Sequence, residues 1–124
     1  MRAGPIIVAL TLTLLLPAQS AFADSHVSGY SAGDLLSPCQ ESDNDARWGE
    51  YAEMECEQFI IGFVGALRQV GAKAELGICA PEQNTADEVR WAFMRWVHED
   101  YSARIAMPAS DALMATLRDR FACG

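Results

Sequence analysis

The chain has 124 residues, of which 9 are basic and 17 acidic, so its formal net charge is −8 although 51% of it is hydrophobic. A surface this acidic repels phosphate backbones and anionic head groups, which excludes nucleic acid and membrane surfaces as natural partners. A basic protein, by contrast, is steered toward it.

The amino-terminal segment reads differently from the rest. Arg2 precedes an apolar run from Pro5 to Leu16, and Ala21-Phe22-Ala23 stands just before Asp24, which predicts a secretory signal peptide over residues 1–23. The apolar run is shorter than the ~20 residues that a membrane span needs, and no later segment qualifies. Removing it leaves 8 basic against 17 acidic residues, a net charge of −9, in a chain exported across the inner membrane to the periplasm. That length supports one domain with a modest core. All four cysteines, Cys39, Cys56, Cys79 and Cys123, fall in the exported part, where an even count reads as a disulfide framework.

Residues 24–32 are small and polar and predict a flexible leader, followed by a single helical domain over 33–124. Gly33-Asp34-Leu35-Leu36 predicts one helical turn stopped by Pro38, just ahead of Cys39. Residues 40–49 have the Asp, Asn and Ser content of an exposed loop. Asp43 and Asp45 there lack the glycine and terminal glutamate of a calcium loop.

Over residues 51–70, Cys56, Phe59, Ile60, Phe63, Val64, Leu67 and Val70 follow helical spacing, which predicts a long amphipathic helix. Glu50, Glu53 and Glu55 suit the positive end of its dipole, and Gly71 and Gly77 are stop signals. Gly62 and Gly65 inside it each cost about 1 kcal/mol relative to alanine, so close approach by another helix is the expected compensation. Thr85-Ala86-Asp87-Glu88 matches a capping box and opens a helix over 86–98, with Val89, Phe93, Trp96 and Val97 on one face. His98-Glu99-Asp100-Tyr101-Ser102 forms a polar connection. Pro108 then occupies the first position of a last helix whose stripe is Leu113, Leu117 and Phe121, with Met114 beside it. Neither strand alternation nor a repeat is present, so the predicted class is all-α, a small compact bundle of about four helices held by two disulfides.

Four cysteines allow three pairings. Cys56 and Cys79 flank the long helix and stand at least about 20 Å apart at ~1.5 Å per residue, beyond the ~7 Å between Cα atoms that a disulfide tolerates. Cys39 ends the first element just before the loop to Cys56, whereas Cys79 precedes the third helix and Cys123 ends the fourth. An antiparallel arrangement therefore predicts Cys39–Cys56 and Cys79–Cys123.

Chemistry is sparse. His26 lies in the leader and His98 is the only other imidazole, while His98, Glu99 and Asp100 project about 100° apart in turn on a helix and do not converge. The cysteine spacings match no zinc pattern, so neither an enzyme nor a metal or other cofactor is predicted. Trp91 falls off the buried stripe and reads as a contact residue.

The succession of Gly33-Asp34-Leu35-Leu36 with Cys39, Cys56-Glu57-Gln58-Phe59-Ile60-Ile61-Gly62, Cys79-Ala80-Pro81, Trp96-Val97-His98-Glu99, Met107-Pro108-Ala109 and Phe121-Ala122-Cys123 resembles the Rap/Tai family of periplasmic immunity proteins. It departs from that pattern at His98-Glu99, where His-Pro-Glu is expected, and at Phe121-Ala122-Cys123, where Phe-Pro-Cys is expected. The resemblance implies a helical, disulfide-bonded inhibitor of a peptidoglycan amidase effector delivered by type VI secretion, acting in some members as a homodimer. The physical candidate for an element inserted into such a cleft is the connection at 98–102. His98, Glu99, Asp100 and Tyr101 bring two carboxylates and an aromatic tip that suit a cleft containing a catalytic histidine, with Trp91 as a further contact. A second reading is a small disulfide-bonded envelope protein with a chaperone-like or structural role, which predicts dissociation and client binding at low pH.

Overall fold

The computed structural model describes residues 29–42 and 49–124. The expected signal peptide, most of the leader with His26, and the middle of the acidic loop lie outside the described residues. The elements are α1 (Ala32–Glu41), α2 (Gly49–Gln69), α3 (Ala72–Leu76), α4 (Thr85–Glu99), α5 (Tyr101–Arg104) and α6 (Ala109–Arg120). The class is all-α as predicted, with four longer helices and two short ones, and no described helix is long and apolar enough to cross a membrane.

The first helix starts earlier and ends later than its sequence suggests. Ser31 caps it, its hydroxyl accepting from the Asp34 N–H while its own N–H donates back to the Asp34 carboxylate at 2.8 Å. Ala32 is already fully buried and Tyr30 packs against the same core, although both fall within the segment expected as leader. Pro38 sits inside the helix instead of ending it. Its missing N–H leaves the Asp34 carbonyl without the usual helical donor, with the Tyr30 hydroxyl 3.3 Å from that oxygen.

That helix start is stitched to the far end of the chain. The Ala32 and Gly33 N–H groups donate to the carbonyls of Met107 and Ile105, and the Ala109 N–H donates back to Tyr30 at 2.9 Å. The amides left open at two helix starts are thus satisfied by each other's flanking segments. Gly33 is required here because a Cβ would stand 2.8 Å from Ile105 Cγ1 and 3.3 Å from the Ile105 carbonyl oxygen.

In α2, Cys56, Ile60 and Val64 are buried, with Phe59, Phe63 and Leu67 partly so, while Val70 lies past the helix end and is exposed. The compensation expected at Gly62 and Gly65 is not made by any described residue: none lies within 4 Å of a Cβ built at either. Gly71 and Gly77 do act as stops, both in the left-handed region with φ of 81° and 65°. The predicted capping box at α4 does not form. The Thr85 hydroxyl instead donates to the Pro81 carbonyl at 2.6 Å, and Asn84 supplies the helix start with a left-handed backbone.

Leu35, Ile60, Phe93 and Leu113 come from four different helices and are fully buried in one core, with Val89, Val97 and Leu117 around them. Trp96 is buried on the same face of α4, as its spacing predicts. The last helix begins at Ala109 with Pro108 as its cap rather than its first residue. It packs against α4, and the tail pairs antiparallel with the segment before α4: the Cys79 N–H donates to Phe121 and the Cys123 N–H to Gly77, at 2.7 and 2.9 Å. Both disulfides form as predicted, Cys39–Cys56 and Cys79–Cys123.

The two crosslinks close loops with sequence separations of 17 and 44. By loop entropy they contribute about 3 and about 4 kcal/mol, against 5–15 kcal/mol for a whole small domain. Paired Cys-to-Ser replacement at 79 and 123 is therefore expected to lower unfolding free energy by about 4 kcal/mol and to exceed the loss from replacing 39 and 56. Urea unfolding of the two variants against the parent checks the order, and the reverse order would contradict it.

Candidate functional site

The carboxyl-terminal half of α4 turns one polar stripe outward. Trp91, Arg95 and His98 recur at i, i+4 and i+7, opposite the buried Val89, Phe93 and Trp96, and Trp91 stands about 10 Å from His98 along the axis. The helix runs one residue past its predicted end, to Glu99. No proline separates His98 from Glu99, so the backbone N–H needed to continue is present. Asp100 then breaks the chain direction and α5 follows, replacing the expected polar loop with a tight corner.

The corner gathers three of the predicted contact residues. His98 Nε2 and the Gln40 side-chain amide are hydrogen bonded at 2.6 Å, which ties the corner to α1. The His98 and Tyr101 rings stack with centroids 5.7 Å apart, leaving Tyr101 48% exposed, and Asp100 is exposed between them. Glu99 faces α6 instead. It accepts from Arg120 at 2.5 Å and lies 3.7 Å from Arg104. Arg104 in turn donates to the Trp96 carbonyl and stacks 3.8 Å above the Trp96 ring, satisfying a carbonyl at the end of α4.

Trp91 is not part of that corner. It is 48% exposed and lines a shallow groove of about 230 Å³ between α4 and α6, with Glu88, Ala92, Arg95, Arg120 and Phe121. Behind it, Arg90 is 5% exposed, donates to the Ser42 hydroxyl, pairs with Asp87 at 3.6 Å and lies 5.0 Å from the Trp91 ring. Sequence reasoning passed over Arg90, Arg104 and Arg120, each of which fixes an element bearing a contact residue. Arg104 and Arg120 do carry one local signal, as basic residues in the last turns of helices.

A second feature flanks the other side of α1. Tyr30, Asp34, Glu41 and Glu55 line an acidic groove of about 490 Å³. The Tyr30 hydroxyl donates to Glu55 at 2.8 Å. Burial first, then this bond and the nearby charges of Glu55 and Asp34, push the Tyr30 phenol well above its ordinary range. The Ser31 N–H and then its hydroxyl hold the Asp34 carboxyl below its ordinary range. On the far side of α2, burial followed by the charges of Glu53 and Asp87 raises Glu57, against the pull of Arg90. Among the described residues no group of three His, Cys, Asp or Glu side chains is placed to hold a metal ion.

Raising the Tyr30 pKa in the folded state sets a sign for alkaline stability. The contribution is complete below the unfolded value of about 10 and is lost as pH rises from there through the folded value. Replacing Tyr30→Phe is expected to flatten the fall in thermal midpoint between pH 9 and about 11, measured against the parent. An unchanged slope would remove this assignment.

Residues 31–123 match the family model described as Rap1a immunity proteins. No curated protein and no solved structure matches the chain.

Proposed function

The chain belongs to the Rap1a immunity protein family, and from that premise we propose that it binds and blocks a peptidoglycan amidase effector of type VI secretion in the periplasm. The match across nearly the whole helical domain is the observation that carries an immunity role, and binding of an effector follows from it. Two disulfides are compatible with action outside the cytoplasm, following export by the signal peptide expected over residues 1–23. The inhibitor role is binding without turnover.

The corner at the end of α4 is the proposed inserting element. It projects a carboxylate at Asp100 beside the stacked pair of His98 and Tyr101, and Gln40 fixes it from behind. Preset geometry limits the ordering entropy that binding must offset. In this reading Asp100, His98 and Tyr101 touch the partner, while Glu99 positions the corner through Arg120 and Arg104.

The proposal extends to a homodimer through the outer face of α2. Tyr51, Met54 and Ile61 are exposed there, Gly62 leaves open space, and Gln58 completes a stripe without charge on an otherwise acidic molecule. Two copies of the exported chain, each with 17 acidic residues against 8 basic, repel, so an uncharged face is where they can approach. The space above Gly62 and Gly65 would admit the partner helix that the described residues do not supply.

Purified chain added to cell-wall amidases is expected to stop peptide release from peptidoglycan at stoichiometric ratio. A triple variant of His98→Ala, Asp100→Ala and Tyr101→Ala should weaken inhibition at least about tenfold, the loss of about 1.4 kcal/mol of binding. Full inhibition by that variant would remove the corner, and no inhibition by the parent would remove the amidase. In sedimentation, the parent should run as a dimer and Ile61→Glu as a monomer, whereas a monomeric parent at tens of micromolar would refute the α2 interface.

A further inference from the structure

We propose that the groove beside Trp91 is a second contact for the partner, and that it receives a segment carrying an acidic side chain next to an apolar one. This rests on the reading of the chain as an effector-binding immunity protein, and it specifies the chemistry of the segment bound.

The indole is prepared for contact on one side only. Arg90 is buried and held by Ser42 at the end of α1, and its guanidinium lies 5.0 Å from the Trp91 ring. The ring is thereby supported from behind while its other face looks into the groove over Ala92 and Phe121. A supported, half-exposed tryptophan loses little freedom on binding, and tryptophan and arginine are the residues that dominate interface energetics.

Three charged side chains line the groove, Glu88, Arg95 and Arg120, so its cations outnumber its carboxylate. Arg120 is committed to Glu99 and Asp119. Arg95 is exposed and makes no hydrogen bond or ion pair with any described residue, in a chain with 17 acidic residues against 9 basic. An unneutralised guanidinium beside an open indole face complements a carboxylate with an apolar neighbour, and it repels the basic surfaces that the rest of the molecule attracts. With Asp100 of opposite sign about one and a half turns beyond Arg95, the two contacts together fix the orientation of a partner, which one charge alone does not.

Two titrations test this on the full chain. In the first, an acetylated and amidated tetrapeptide of alternating leucine and glutamate is added while the indole N–H signal of Trp91 is followed by NMR, beside its leucine and lysine counterpart. The acidic peptide should shift that signal saturably at millimolar concentration and Arg95→Glu should abolish the shift, with the basic peptide inert. A Trp91 signal that ignores the acidic peptide, or a shift that survives Arg95→Glu, overturns the proposal. In the second, an amidase inhibited by the parent is titrated with Trp91→Ala and Arg95→Glu, each first shown to keep the parent's thermal midpoint. Each variant should bind at least tenfold more weakly, and Arg95→Lys should recover part of the loss. Inhibition undiminished in both variants overturns the groove and leaves the amidase reading intact. A peptide response that depends on Arg95 in a chain that inhibits no amidase upholds the groove and removes the amidase.

Discussion

The antiparallel seam that joins the tail to the segment before α4, locked by Cys79–Cys123, is the constraint on which the rest of the structure depends. It fixes α6 alongside α4 and so closes the core around Phe93 and Leu113. Arg120 ends α6 immediately before that seam, and Arg120 is what holds Glu99. The position of the corner at Asp100 and Tyr101 therefore descends, in a short chain of contacts, from a covalent bond between two segments far apart in sequence. The other end of the molecule repeats the device, with the start of α1 stitched to residues 105–109 and Cys39–Cys56 binding α1 to α2.

Acidity and the scarcity of cations acquire a structural meaning in this arrangement. Arg68 holds the Pro81 carbonyl, Arg90 holds Ser42, Arg104 holds the end of α4 and Arg120 holds Glu99. Among the described residues, most guanidinium groups are used as clamps between elements, where several donors on a planar head can serve one carbonyl or carboxylate. The carboxylates, with few of these exceptions, remain outside. Among the described residues, what a partner meets is thus a largely negative surface, interrupted at the uncharged face of α2 and by exposed cations, Arg95 among them.

Periodicity made the buried faces of α2, α4 and α6 legible, because burial repeats with the helix and leaves its mark on every third or fourth residue. Chain order was enough to choose the disulfide pairing. Where local signals misled, the backbone or side-chain group they assign to one role takes another. Pro38 reads as a stop, yet the helix carries it to Glu41, and Thr85 reads as a cap until Pro81 is seen taking its hydroxyl. At the site, His98, Asp100 and Tyr101 were visible as a polar cluster with an aromatic tip. The engagement of Glu99 was not, since Arg120 lies 21 residues away and nothing in the intervening spacing announces the pair. The alanine at 122, where a proline is expected, has a simple account: neither hydrogen bond flanking the Ile78–Ala122 bridge uses the N–H of residue 122, so the ladder is indifferent to the exchange.

The two crosslinks also make the fold conditional on its surroundings. Together they supply about 7 kcal/mol, a sum comparable with the whole stability of a small domain. Where thiols are kept reduced, the same chain loses that contribution, and the hairpin of α4 and α6 that presents Trp91, His98 and Tyr101 is no longer held in register. Oxidation thus acts as an assembly step: a newly made, still reduced chain carries the residues of the proposed binding surface without the surface itself.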